Sequence, residues 1–240
     1  MIRALIKKDA RLLQLYLRSA FVATVGCYLL MAILAVIFTN FQDERAQSLA
    51  NRALHIFSGG SNGGFPTTYF FAALLAGSVF TLERSDRSAE FLACLPPTRM
   101  QNLVSKLAVV LGATAMMVTV HLSFFWISHL LLPYIREHSG ILTEQRLPSA
   151  LTVITFVTVI VSVIGGALAV SAWLNSNGVP ILCGLLTPVF VLSFVSLIGW
   201  ALDIPSEGDA FQARYAISSL VLGIAFGYMG CHWYLTRSEP

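Results

Sequence analysis

The chain has 240 residues, of which 56% are hydrophobic and 11% charged, with a mean hydropathy of +0.75. That balance excludes an ordinary soluble globular domain, and a formal net charge of +3 is too small to point to a nucleic-acid partner. Six apolar runs of about 20 residues match helices crossing a hydrocarbon core of ~30 Å, and no barrel-like alternation competes with that reading. In lipid, helices then satisfy the backbone internally. Cys27, Cys94, Cys183 and Cys231 lack metal-ligand spacing and read as small hydrophobes, not as a disulfide framework.

Residues Met1 to Ser19 predict an amphipathic helix. Arg3, Lys7, Arg11, Gln14 and Arg18 recur at three- and four-residue steps and form a basic stripe. Ile2, Leu5, Ile6, Leu12, Leu13, Tyr16 and Leu17 occupy the opposite face, a pattern suited to the membrane interface beside anionic lipid. Asp9 falls in the middle of the apolar face, where it is either tolerated by snorkelling or faces protein. Phe21 to Phe38 is the first span, too long for a signal sequence and followed by no small-residue cleavage site. Thr39 to Phe65 is polar, ends in S-G-G-S-N-G-G-F-P and predicts a flexible connection. Gly59 and Gly64 have the spacing of a phosphate-binding loop, but Phe65 replaces its lysine and no strand precedes it, which rules out nucleotide binding there.

The second span covers Pro66–Leu82. Behind it comes the densest charged segment, Glu83 to Arg99, which reads as a short helix. Ser85 suits its cap and Asp86 its first turn. Glu83 with Arg87, and Arg87 with Glu90, have pairing distances along a helix. Phe91, Leu92 and Leu95 supply an apolar edge, and Pro96-Pro97 stops the helix. Thr98 and Gln101 have capping-box spacing and open the next span. On these residues alone, the segment is either a solvated connector or a docking element.

The third span, Leu103–Leu132, carries His121 and His129 on broadly one face. They read as a cofactor or proton site, or as two packed polar residues; a separation of ~12 Å is too great to share one metal. Pro133 to Pro148 predicts a polar loop. The fourth span, Ser149–Leu174, has a small and polar stripe of Thr152, Thr155, Thr158, Ser162, Gly165, Gly166 and Ala169, for close packing or for lining a translocation path. Asn175 to Gly178 is a turn. The fifth span, Val179–Ala201, contains Thr187-Pro188, where proline removes a backbone bond and predicts a kink, with Thr187 or neighbours satisfying the freed carbonyl. After an acidic loop with Asp203, Glu207 and Asp209, the sixth span, Tyr215–Leu235, presents Ser219, Gly223 and Gly227 as a packing face, within or between subunits.

Six spans put both termini and the loops after spans 2 and 4 on one side. That side holds Arg3, Lys7, Lys8, Arg11, Arg18, Arg84, Arg87, Arg99, Lys106 and Arg237, against Arg45, Arg52, Arg136, Arg146 and Arg214 on the other. Ten against five places the termini and the charged segment in the cytoplasm.

A glutamate closing one span, then R-S-x-E-x-L-x-x-L-P and an arginine, resembles the first cytoplasmic loop of type-2 ABC exporter permeases. The chain departs at Cys94-Leu95-Pro96-Pro97, where that family has one small residue and a single proline. The resemblance implies an all-α membrane protein with six transmembrane helices, an amphipathic N-terminal helix and a coupling helix between the second and third spans. Glu83, Arg87, Glu90, Leu92, Leu95, Pro96 and Arg99 would form the coupling region, with Phe91 filling a groove of the ATPase beside Leu92 and Leu95. It further implies a bacterial cytoplasmic membrane, a separate ATPase subunit carrying ATP and Mg, a second permease subunit, and no cofactor on this chain. The substrate is not readable; haem-related export is one variant, suggested by the histidines and Trp126. The rivals are an ATP-independent scaffold or substrate-capture subunit, and a membrane-embedded enzyme. Against the last, the spans hold no acidic residue away from their ends and no H-E-x-x-H.

Overall fold

A computed structural model describes residues 2–39, 49–82, 98–139, 150–174, 178–202 and 208–236. Among them all regular structure is helical, in seven helices: α1 Ile2–Leu12, α2 Gln14–Thr39, α3 Leu49–Ser78, α4 Arg99–Ser139, α5 Ala150–Trp173, α6 Gly178–Ala201 and α7 Asp209–Thr236. Five contain a stretch long and apolar enough to cross a bilayer: Gln14–Leu34, Arg99–Ile127, and all of α5, α6 and α7. This is the build of a multi-pass helical membrane protein. Among the described residues, α3, the helix expected as the second span, yields no sixth such stretch. Its first half is diluted by glycine, serine and asparagine, and it breaks into a turn at Val79–Phe80 just where its apolar half would complete a span.

Three boundaries differ from the sequence reading. The amphipathic helix ends at Leu12, and Gln14 to Ser19 belong to the next helix, although Leu13 N–H still donates to the Asp9 carbonyl (3.0 Å) across the break. The stretch expected as a flexible connection is helical from Leu49 onward, through its glycines and Pro66. At Gly64 the weak intrinsic propensity is offset by packing, since the missing side chain leaves room for His121. Finally, α4 continues through Pro133 to Ser139, so its 41 residues extend ~60 Å, well past the span expected to end at Leu132. The Thr98 start agrees with the capping box: Gln101 N–H donates to Thr98 Oγ1 (3.3 Å) and Thr98 N–H to Gln101 Oε1 (3.2 Å).

The chain divides into two compact units. One comprises residues 1–17, 69–114 and 149–240. Its centre is α5, whose residues from Phe156 to Ala172 are almost all buried. On one flank, α5 meets α7 backbone to backbone: a Cβ on Gly165 would collide with the Gly223 carbonyl, and one on Gly223 with Val161 and Ser162. Only glycine at both positions allows that approach. The buried end of α3 and the turn after it, from Phe71 to Thr81, fill another flank. There the Ser171 hydroxyl donates to the Gly77 carbonyl (2.8 Å), Tyr69 packs on Phe156, and Phe80 stacks on Tyr234 with ring centroids 4.6 Å apart. The other unit comprises residues 18–68 and 115–148, drawn from α2, α3 and α4.

Candidate functional site

The most polar buried point of the first unit is built on α1. Leu5 and Asp9 are its buried positions, continued by Leu13 just beyond its end, all at four-residue steps, while Arg3, Lys7 and Arg11 are exposed. At 100° per residue these two sets lie on opposite sides, so the basic stripe points away from the face that packs on protein. The apolar face expected to rest in lipid therefore has its centre covered by the chain itself. Asp9, 4% exposed, accepts a hydrogen bond at Oδ2 from the Ser105 hydroxyl. Its Oδ1 lies 3.7 Å from Lys106 Nζ and 3.8 Å from Lys8 Nζ. Lys106, 1% exposed, also donates to the Val79 carbonyl (3.3 Å).

Asp9 and Lys106 together thus tie three segments: the N-terminal helix, the turn that follows α3, and the first turns of α4. The last two are the chain ends on either side of residues 83–97. Nearby, Arg99 Nη1 donates to the Leu235 carbonyl (3.4 Å), joining the start of α4 to the last turn of α7. Burying a carboxylate costs several kcal/mol unless an opposite charge and hydrogen bonds accompany it, and here both do. The group joins these segments through its mutual contacts.

Sequence reasoning placed Lys106 only among the cytoplasmic charges and passed over Ser105. The signal was present: an acid on an apolar helix face requires a counter-charge, and Lys106 is a cation at the mouth of an apolar run.

A second polar point lies in the other unit. His121 is fully buried, and the Tyr28 hydroxyl donates to its Nδ1 (2.8 Å) in the tautomer protonated at Nε2. The Tyr28 ring stacks on the imidazole at 5.7 Å between centroids, Phe65 meets it edge-on at 6.5 Å, and Phe124 packs on Tyr28 at 4.4 Å. Gly64 underlies the imidazole, and a Cβ there would overlap its ring atoms. The backbone of His129 lies on α4, and its side chain is outside the described residues. Among the described residues, no group of three or more histidine, cysteine or acidic side chains has metal-binding geometry.

Of the expected coupling residues, Glu83, Arg87, Glu90, Phe91, Leu92, Leu95 and Pro96 lie outside the described residues; Arg99 is the exposed first residue of α4. In the stripe of α5, Thr155, Thr158 and Ser162 give their hydroxyls to carbonyls of their own helix, those of Leu151, Thr155 and Val159. Ser162 is fully buried where Gly223 approaches it, so this part of the stripe packs against α7. Ser219 and Gly223 are buried on the matching face of α7, and Gly227 lies alongside Gly165. That small-residue contact is made within the chain. Pro188 sits inside α6, and its carbonyl accepts from the Tyr215 hydroxyl (3.2 Å). Thr187 donates to the Cys183 carbonyl (2.8 Å), one residue before the Gly184 carbonyl that the proline deprives of its amide. No protein-family model, curated protein or solved structure matches this chain.

Proposed function

We propose that this protein is the membrane subunit of an ATP-driven exporter of the type-2 ABC permease class, moved by a separate ATPase subunit. In this reading it lies in a bacterial cytoplasmic membrane with both termini in the cytoplasm, and pairs with a second permease subunit. The charged segment from Glu83 to Arg99 receives the ATPase, Arg87 and Glu90 make its polar contacts, and Phe91, Leu92 and Leu95 enter its groove. ATP-driven closure of the ATPases pushes the segment, and the helices exchange one packing for another as rigid elements. No covalent step takes place on this chain.

One observation carries the reading: the densest charge in a highly apolar chain sits between the turn at Val79 and the first turns of α4, which Lys106 fastens to each other and, through Asp9, to the N-terminal helix. A push on the intervening segment is then delivered to three helices together. The distribution of basic residues, ten against five, supports a cytoplasmic position for it.

The test is recovery of a partner. The tagged full chain, purified from native membranes, is expected to bring with it a protein containing a phosphate-binding loop and to stimulate its ATP hydrolysis. Arg87→Glu and Glu90→Lys are each expected to reduce recovery tenfold or more. Absence of an ATPase from the unaltered preparation would overturn the reading, as would full stimulation by the Glu90→Lys protein.

A further inference from the structure

We propose that the basic stripe of α1 is a binding surface for the headgroups of anionic phospholipids. Arg3, Lys7 and Arg11 are exposed and recur every four residues, so one face of the helix carries three cations over ~12 Å. Among the described residues, these three side chains have no ion pair or hydrogen bond within the chain. Other cations do: Lys8 and Lys106 lie beside Asp9, Arg99 reaches the Leu235 carbonyl, and Arg214 reaches that of Ala210. An acid three or four residues from Arg3, Lys7 or Arg11 would neutralise the row, and the sequence places none there. The one carboxylate of α1, Asp9, is on the opposite face and is committed to Ser105 and Lys106. The stripe is an anion site with its counter-charge outside the chain.

The depth of α1 decides what supplies that charge. Asp9 meets Ser105 and Lys106, which lie ~10 Å into the stretch of α4 that can cross a bilayer and that begins at Arg99. The corresponding stretch of α2 begins at Gln14, directly after α1. The helix is therefore held where both stretches enter the membrane, at the level of the headgroups. Lipid phosphates already occupy that layer, whereas an acidic protein surface would have to displace them to reach the stripe.

The contact differs from that of an amphipathic helix sunk in lipid, because Leu5 and Leu13 on the apolar face are covered by the chain. Binding rests on charge. A guanidinium can pair with phosphate through two parallel N–H bonds, and the lysine between the two arginines adds a point charge. Such a row favours a headgroup with net negative charge over a zwitterionic one, whose own cation would face the stripe. The surface needs only a membrane, so it stands whether or not an ATPase partner exists.

Native mass spectrometry of the full-length protein in detergent counts bound lipid directly. Offered equal amounts of dioleoyl phosphatidylglycerol and dioleoyl phosphatidylcholine, the protein is expected to retain the first roughly tenfold more often. Combining Arg3→Gln, Lys7→Gln and Arg11→Gln is expected to abolish that preference with the melting temperature unchanged. Lys7→Gln alone, the measure to use should the triple variant fail to fold, is expected to weaken retention about fivefold. Arg214→Gln, which removes a cation from α7, should leave the preference intact. In native membranes, Ala4→p-benzoylphenylalanine places a photoreactive group at an exposed position beside the stripe and is expected to capture phospholipid. Capture of a protein in place of lipid would overturn the proposal in favour of an acidic protein surface. Equal retention of the two lipids would overturn it, as would a preference that survives the triple variant. Displacement of the lipid by glycerol phosphate at the same concentration would also overturn it, by showing a site for free phosphate.

Discussion

Asp9 and His121 are both polar side chains buried in an apolar protein, and the chain accommodates them by opposite means. Asp9 is held by charge: a lysine that is itself buried, a second lysine at the edge and a serine hydroxyl. His121 is held by room and by a neutral partner: Gly64 vacates the space under the ring, and Tyr28 supplies one hydroxyl. The difference teaches what each site can lose. A buried ion pair contributes little over two apolar groups of the same shape, yet losing one member strands the other charge. A neutral hydrogen bond between helices in a membrane is worth only about 0.6 kcal/mol on average, so the histidine site depends chiefly on shape.

The largest expected effect breaks the charge side of this comparison. Lys106→Met leaves Asp9 stranded and is expected to destabilise the protein by about 3–5 kcal/mol. Combining it with Asp9→Asn should recover most of that loss, as read by denaturant unfolding of the full chain in detergent. A double variant no more stable than the single one would show that the cluster is not an ion pair in energetic terms. Next comes the shape side. Gly64→Ala drives a methyl into the imidazole and is expected to cost roughly 1–3 kcal/mol. In a His121→Ala background the same change should cost much less, so a double-mutant cycle that comes out additive would count against the close seat.

Smaller effects sharpen the contrast. Tyr28→Phe keeps the aromatic packing on Phe124 and His121 and removes only the hydroxyl, with an expected loss near 0.6 kcal/mol. A loss above about 2 kcal/mol would mean that the imidazole is held by hydrogen bonding more than by shape. Smallest of all, Lys7→Gln on the exposed stripe of α1 should change stability by no more than ~0.5 kcal/mol, since that side chain points away from the face α1 packs on protein.

Much of the fold was legible in composition and spacing. The apolar runs behind α2, α4, α5, α6 and α7 stand out because a helix in lipid needs a minimum uninterrupted length. The Thr98 cap was readable because it depends on two residues three apart. The glycine face of α7 was readable as a contact surface; its partner was not, because small residues announce a close approach without naming the helix that makes it. The helical course of α3 through Gly64 and Pro66 was misread for a related reason. Local propensity there argues for a loop, and only the packing of His121 over Gly64 reveals what that glycine accommodates.

By itself, then, the amino-acid order determined a helical membrane protein with a basic N-terminal stripe and one concentrated charged segment. These follow from local properties: run length, periodicity and charge density within a few turns. Only the tertiary structure decided that Asp9 faces Ser105 and Lys106, that Tyr28 meets His121, and that α5 lies at the centre of its unit. Those pairings join residues about a hundred positions apart, and no local rule of spacing reaches that far. They arise because a buried charge or ring must find its partner wherever close packing brings one within reach.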